Sequence, residues 1–264
     1  RVEYVEIRAF GNMGEWHDSE FVGIEMPSLE VQKDMLDYFA KVFDKTTCCL
    51  MSDAKGEIYE YALSIGITKR NNGLILTPNE EWDLVPAYRA NLPTMADNHN
   101  TYENMLEADS ISGEYLKWTP ERFRETIEIA HLSIYALDQE GYGSYKFYSE
   151  QKPLIDEMSK RLGYNFTVTS AKRNGNQLLV TIKNTGVAPA CFDITLSAEI
   201  TDAEGNKLGT FGNPVKIAKG TFADDTEQTF LFEYRGSLEE DAVLCLAMYE
   251  SSKLPATKAK ARAA

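Results

Sequence analysis

The chain has 264 residues, 43% hydrophobic and 11% aromatic, enough to bury more than one core, and no run approaches the roughly 20 apolar residues that a membrane helix needs. Its formal charge of -14 opposes the clustered Lys and Arg side chains through which phosphate backbones are held, so nucleic acid is excluded as an expected partner. Residues 165–264 hold 11 basic and 12 acidic side chains against 16 and 29 in residues 1–164, so nearly all the charge lies in the N-terminal part; a solvated acidic surface or a cleft lined with carboxylates would each produce that bias.

In chain order, Val2 to Phe10 reads as a strand, with Val5, Ile7 and Ala9 alternating against Glu6 and Arg8, which are expected to face one side as an ion pair. Pro27 and Ser28 precede a helix over Leu29 to Phe43 that carries Met35, Leu36, Phe39, Val42 and Phe43 on its apolar side. Thr46 to Met51 is a strand, and Gly56 to Ser64 a helix closed by Gly66. A shorter strand falls within Ile67 to Leu76, followed by a helical stretch around Glu81 to Arg89 and a strand over Leu92 to Ala96. After a long loop, Thr119 and Pro120 open a helix running to about His131. Leu132 to Leu137 is the last strand of this series, and Pro153 to Leu162 a helix that stops at Gly163.

The alternation is the pattern of βα units, five in number. The expected fold class is therefore α/β plus all-β: a partial (β/α)8 TIM-type barrel comprising the later strands only, over residues 1–164, followed by an antiparallel, Ig-like β-sandwich over residues 165–252. Its missing units would lie in an N-terminal barrel segment, with which the open sheet edge would pair, and without which the chain is expected to be catalytically inactive.

Beyond Tyr164 the period changes to short alternating runs at Phe166 to Arg173, Gln177 to Lys183, Phe192 to Thr201, near Phe211, Thr229 to Tyr234 and Val243 to Tyr249, separated by turn sequences such as Asn174-Gly175-Asn176. These strands show no cluster of exposed Trp or Tyr, so the sandwich is expected to be an accessory module. The tail over residues 253–264 reads as disordered. Of four cysteines, Cys48 and Cys49 should behave as small buried hydrophobes on opposite strand faces, and Cys191 and Cys245 could pair in an oxidising compartment.

The segment GNMGEWH, Gly11 to His17, follows the first strand. Two glycines allow an unusual backbone path that would present Glu15 beside Trp16 and His17. A carboxyl group against an aromatic wall suits a general acid, because desolvation raises its pKa, and Trp16 could stack on a sugar ring; a solvated Glu15 and a core Trp16 fit the same residues. Asp97, at the end of the strand in PTMADNHN with His99 two residues on, is a second carboxylate; Asp53, Glu103 and Glu114 are rivals to it. Trp118, Tyr142, Tyr145, Phe147 and Tyr148 could form flat sugar platforms or fill a loop core. His17, His99 and His131 have no ligand spacing on one helix or hairpin, so neither metal nor cofactor is expected.

The first strand with GNMGEWH, the segment ITKRNNGL (Ile67 to Leu74), the passage IAHLSIYALD (Ile129 to Asp138) and RLGYNF (Arg161 to Phe166) together resemble an uncharacterised bacterial family of glycoside-hydrolase type, in which a β-galactosidase-like barrel precedes a β-sandwich. The resemblance spans residue 2 to about residue 250. It implies hydrolysis of a polysaccharide or oligosaccharide, with Glu15 as general acid/base and Asp97 where the family's nucleophilic Glu is expected. With that activity, Trp16, His17, Asp53, His99, Trp118, Tyr142 and Tyr145 are the expected substrate contacts, and a secreted, periplasmic or cell-surface setting is expected. Because Asp97 departs from that pattern, a non-catalytic carbohydrate-binding or scaffold protein stands as the alternative.

Overall fold

The computed structural model describes residues 4–12, 14–18, 23, 25–73, 83–98, 101–107, 117–137, 143–202, 204–236 and 243–251. The chain divides into two compact units, 1–163 and 164–264.

In the first unit five strands, β1 (Tyr4–Glu6), β2 (Thr47–Leu50), β3 (Thr68–Asn72), β4 (Met95–Asp97) and β5 (Ile134–Ala136), line up in chain order and are all parallel. Between them run α1 (Leu29–Val42), α2 (Glu57–Ser64), α3 (Val85–Arg89), α4 (Tyr102–Glu107) and α5 (Pro120–Ile129), and α6 (Gly143–Met158) follows β5. The expected assignment to a partial (β/α)8 TIM-type barrel is corrected by this topology. Among the described residues the five strands expected are present, in the order β1-β2-β3-β4-β5, but with six helices they form a curled parallel sheet that does not establish a (β/α)8 barrel. Alternation of strand and helix specifies parallel pairing with right-handed crossovers, and an open sheet satisfies that rule as well as a barrel does.

The helices form where their capping chemistry permits. Ser28 accepts from the Val31 amide at the start of α1, and Thr119 from the Arg122 amide at the start of α5, where Pro120 occupies a position whose N–H would be orphaned anyway. α6 is longer than Pro153 to Leu162 suggests, because a second helical piece from Gly143 joins it across a kink at Gln151 (φ -107°, ψ 16°), two residues before Pro153 removes a backbone donor. One core gathers Ile7, Leu36, Cys48, Leu50, Ile58, Ala62 and Ile67 between β1, β2 and the helices α1 and α2.

The second unit holds β6 (Phe166–Asn174), β7 (Gln177–Asn184) and β11 (Glu227–Glu233) in one antiparallel sheet of order β11-β7-β6. A second antiparallel sheet centres on β8 (Ile194–Thr201), paired along one side by β12 (Val243–Glu250) and also by β9 (Lys207–Thr210) and β10 (Val215–Ile217), which pair with opposite halves of β8. Alternate residues of the two sheets (Leu178, Val180, Ile182, Phe230 and Phe232 against Ile194, Leu196, Ala198, Ile200 and Ile217) share one core, each large side chain contributing about 1.5–3 kcal/mol by leaving water. All four cysteines are free thiols, Cys191 and Cys245 included.

Asn184, fully buried at the end of β7, ties three loops together. Its Oδ1 accepts from the amides of Asn165 (2.9 Å) and Gly186 (3.0 Å), and its Nδ2 donates to the carbonyls of Ala188 (2.9 Å) and Phe222 (3.0 Å). Asn184→Ala leaves these buried backbone groups without partners and is expected to cost this unit about 2–4 kcal/mol, measured by chemical unfolding followed by far-UV circular dichroism. A loss under about 0.5 kcal/mol, the level of an ordinary surface change, would contradict that role.

Candidate functional site

Central strands of a parallel sheet are usually continuous apolar runs, because both faces are covered. β3 is not: it reads Thr68-Lys69-Arg70-Asn71-Asn72, and its first four residues are buried. Alternation divides the strand between two faces, with Thr68, Arg70 and Asn72 on one and Lys69 and Asn71 on the other. The parallel register aligns Glu6 with Cys49 and Cys49 with Thr68, Arg70 with Met95, and Asn72 with Asp97, so these residues share the first face.

On that face the Arg70 guanidinium spans two strands. Nη1 donates to Glu6 Oε1 of β1 and Nη2 to Asp97 Oδ2 of β4, with side-chain exposures of 6% for Arg70 and 4% for Asp97. Arg8 donates to the other Glu6 oxygen at 2.9 Å, the Glu6–Arg8 pairing that alternation along the first strand indicates. The Asn72 amide, oriented to donate, reaches both Asp97 oxygens at 3.0 and 3.2 Å. Asp97 is thus an acceptor held by a cation and an amide. Next to it Asn98 accepts at Oδ1 from the Tyr135 hydroxyl of β5, and its buried Nδ2 has no hydrogen-bond partner among the described residues.

On the opposite face Lys69 lies 4.8 Å from the centre of the Tyr59 ring and 3.5 Å from Asp83 Oδ2. Burial holds its ammonium below the usual lysine range, with Asp83 opposing that shift. The Tyr59 phenol, which donates to the Asp83 carbonyl at 3.0 Å, is pushed up by burial and by the Asp83 charge.

The loop after β1 is clamped to its own strand. Gly11 (φ +90°) and Gly14 (φ +87°) occupy left-handed backbone, and a Cβ on Gly14 would come within 2.8 Å of Arg8 Cα, so only glycine fits there. Trp16 adopts φ +74°, a conformation that costs a bulky residue about 1–3 kcal/mol, and is held by its amide to Phe10 O (3.0 Å), its indole N–H to Ile7 O and an edge contact with Phe10 at 4.9 Å. These restraints fix Glu15 between Gly14 and Trp16, with Oε2 3.8 Å from His17 Nε2 and the carboxylate side chain 19% exposed.

The other expected site residues are placed as follows. Trp16 and Trp118 are 3% and 2% exposed and belong to cores, so neither presents a ring to solvent; the apolar packing available to each outweighs exposure. Trp118 packs with Tyr102, Phe123 and Phe147. Asp53 is half-buried in the loop after β2, Tyr145 is exposed on α6, and Glu103 pairs with Lys146 at 3.0 Å. His99, Glu114 and Tyr142 lie outside the described residues. His131 stacks on Tyr88 at 3.7 Å, and no group of three His, Cys, Asp or Glu residues among the described ones is arranged to hold a metal. Arg70 and Asn72 were not singled out from sequence, although five polar residues in the middle strand of a parallel series are the signal that finds them.

No family model matches the chain, and no curated protein matches it.

Replacing Arg70 by Met strands two carboxylates in a water-poor setting and is expected to destabilise the first unit by about 3–5 kcal/mol, whereas the triple change Glu6→Gln, Arg70→Met, Asp97→Asn should recover much of that loss. All three tryptophans fall in residues 1–163, so tryptophan fluorescence in urea reads this unit alone. Equal losses in the single and triple variants would show that the charges are not coupled.

Cys49, beside Glu6 and Thr68, is pushed up to about 12 from 9.0, first by burial and then by the Glu6 charge. Between those values the unfolded thiol ionises and the folded one does not; the unfolded state binds fewer protons, so stability falls as pH rises through this window. The decline should be shallower in Cys49→Ala, and unfolding midpoints across the window check it. Parallel curves for the two proteins would count against it.

Proposed function

We propose that the chain carries the carbohydrate site of a glycoside hydrolase, with Glu15 as general acid/base. The observation that carries this reading is the collection of acid and amide side chains at the carboxyl ends of adjacent parallel strands: Glu15 after β1, Asp53 after β2, Asn72 at the end of β3, and Asp97 with Asn98 at the end of β4. In open parallel sheets ligands bind outside the carboxyl ends of the strands. Alternating carboxylate acceptors and amide donors suit a neutral ligand rich in hydroxyl groups.

In hydrolysis, protonated Glu15 gives its proton to the glycosidic oxygen as the bond to the leaving sugar breaks, and a second carboxylate either attacks the anomeric carbon or activates water. Asp97 is the candidate for the second role. An extracellular polysaccharide as substrate goes with a secreted, periplasmic or cell-surface setting. Among the described residues no helix is long and apolar enough to cross a membrane.

A second reading, glycan binding without hydrolysis, draws support from Asp97 itself. Its oxygens are engaged by Arg70 and Asn72 and its side chain is 4% exposed, a poor starting point for a nucleophile.

Glu15→Gln in the complete protein is expected to lower hydrolysis of the polysaccharide by about 100- to 10,000-fold while leaving glycan affinity within a few-fold, measured by reducing-end release and by titration calorimetry. Undiminished hydrolysis in that variant removes Glu15 from the mechanism. Glycan binding by a wild-type protein that releases no reducing ends selects the second reading.

A further inference from the structure

The second unit contains a cavity of about 620 Å³, within the range of about 300–1,000 Å³ typical of small-molecule sites. It lies where the turn between β9 and β10 meets the end of β11, and Asn213, Pro214, Leu231, Glu233, Tyr234 and Arg235 form much of its wall. We infer that this cleft is a saccharide-binding site belonging to the second unit, distinct from the residues at the strand ends of the first.

The cleft is built rather than incidental. Gly212 (φ +76°) packs so closely on β11 that a Cβ would stand 2.8 Å from the Glu233 carbonyl oxygen, which brings the turn against the strand end. Tyr234 is anchored by its amide to the Asn176 carbonyl at 2.8 Å and by stacking on buried Phe211 at 5.3 Å with 18° between the rings. Gly236 leaves room for the phenol, since a Cβ there would approach Tyr234 Oη to 2.6 Å. The ring is therefore immobilised before any ligand arrives, which removes an ordering cost from binding.

The lining chemistry selects the class of ligand. Among the described lining residues Arg235 is the single cation and Glu233 the single anion, a balance that suits a neutral ligand. Tyr234, Leu231, Pro214 and Val215 supply apolar surface suited to the C–H face of a pyranose ring, as aromatic bodies with polar tips do elsewhere. The Arg235 guanidinium, the Asn213 amide and the Glu233 carboxylate supply donors and acceptors for hydroxyls at the ring's edge. Gln177 Nε2 donates to Glu233 Oε1 at 3.0 Å and orients that carboxylate. A neutral sugar of one to a few rings meets these conditions.

The test is a heteronuclear NMR titration of the full chain with cellotriose, xylotriose, maltotriose and chitotriose in turn, each to about 10 mM, a level that reveals millimolar binding. At least one is expected to shift the backbone amides of residues 210–213, 215 and 231–236. Arg235→Ala and Asn213→Ala, both at exposed positions that leave the core intact, should each weaken that binding about tenfold, a change of 1.4 kcal/mol. Tyr234→Ala should abolish it with the far-UV circular dichroism unchanged. Shifts confined to the first unit would support the strand-end site and overturn this one. Absence of shifts in both segments with all four sugars, or shifts undiminished in both surface variants, would also overturn it.

Discussion

The first unit is organised around one guanidinium. Taking Arg70, Glu6 and Asp97 out of water costs several kcal/mol per ion, and the cost is met only because Arg70 lies between the carboxylates of β1 and β4, with Arg8 and Asn72 completing their hydrogen bonds. This geometry selects strand register. Sliding β3 by one residue would exchange its faces, sending Arg70 toward Tyr59 and Asp83 and Lys69 toward Glu6 and Asp97. A lysine ammonium on the first face would lack the planar fork with which Arg70 reaches Glu6 and Asp97 at once, so the polar centre that weakens the sheet as a hydrophobic object sharpens it as a unique one.

The same constraint explains why the fold was easier to read than the site. Strand and helix periods are local, and α1, α2, α5, β2 and the hairpin strands β6 and β7 were legible to within a residue or two from apolar spacing, Ser28 and Thr119 caps, and Asn-Gly-Asn turns. How parallel strands close is not local: five βα repeats are compatible with an open sheet and with part of a barrel, and nothing in the spacing of Val5, Cys48 or Met95 distinguishes them. α4 leaves no clear period, because Tyr102 to Glu107 is a short amphipathic turn and a half, with Tyr102 and Met105 its buried residues. The first half of α6 has no signal of its own in the sequence pattern, because Pro153 reads as a helix start although it sits two residues past a kink.

Aromatic residues were the least legible. Trp16 next to Glu15 has the sequence appearance of a sugar platform, yet the loop turns its ring inward, and the positive φ that does so is a conformation no spacing rule foresees for tryptophan. Tyr234 had the opposite fate. Lying at the end of an ordinary strand, it gains its surroundings from Gly212 and Asn213, some twenty residues earlier, through antiparallel pairing around β8 and β11. Residues that meet across a fold are invisible to a reading along it.

The charge bridge also has a temporal side. Glu6 and Arg70 are 64 residues apart in sequence and Arg70 and Asp97 27, so neither contact can help a short stretch of chain find its shape. Until β2 has carried the first strand into the sheet on one side of the third and the fourth strand has docked on the other, Arg70 is a liability that favours hydrated, undocked chain, and intermediates with part of the sheet in place gain little. Assembly of the sheet thereby takes on an all-or-none character and a high contact order, which slows collapse and makes the finished sheet lose its middle strands together rather than fray from one edge.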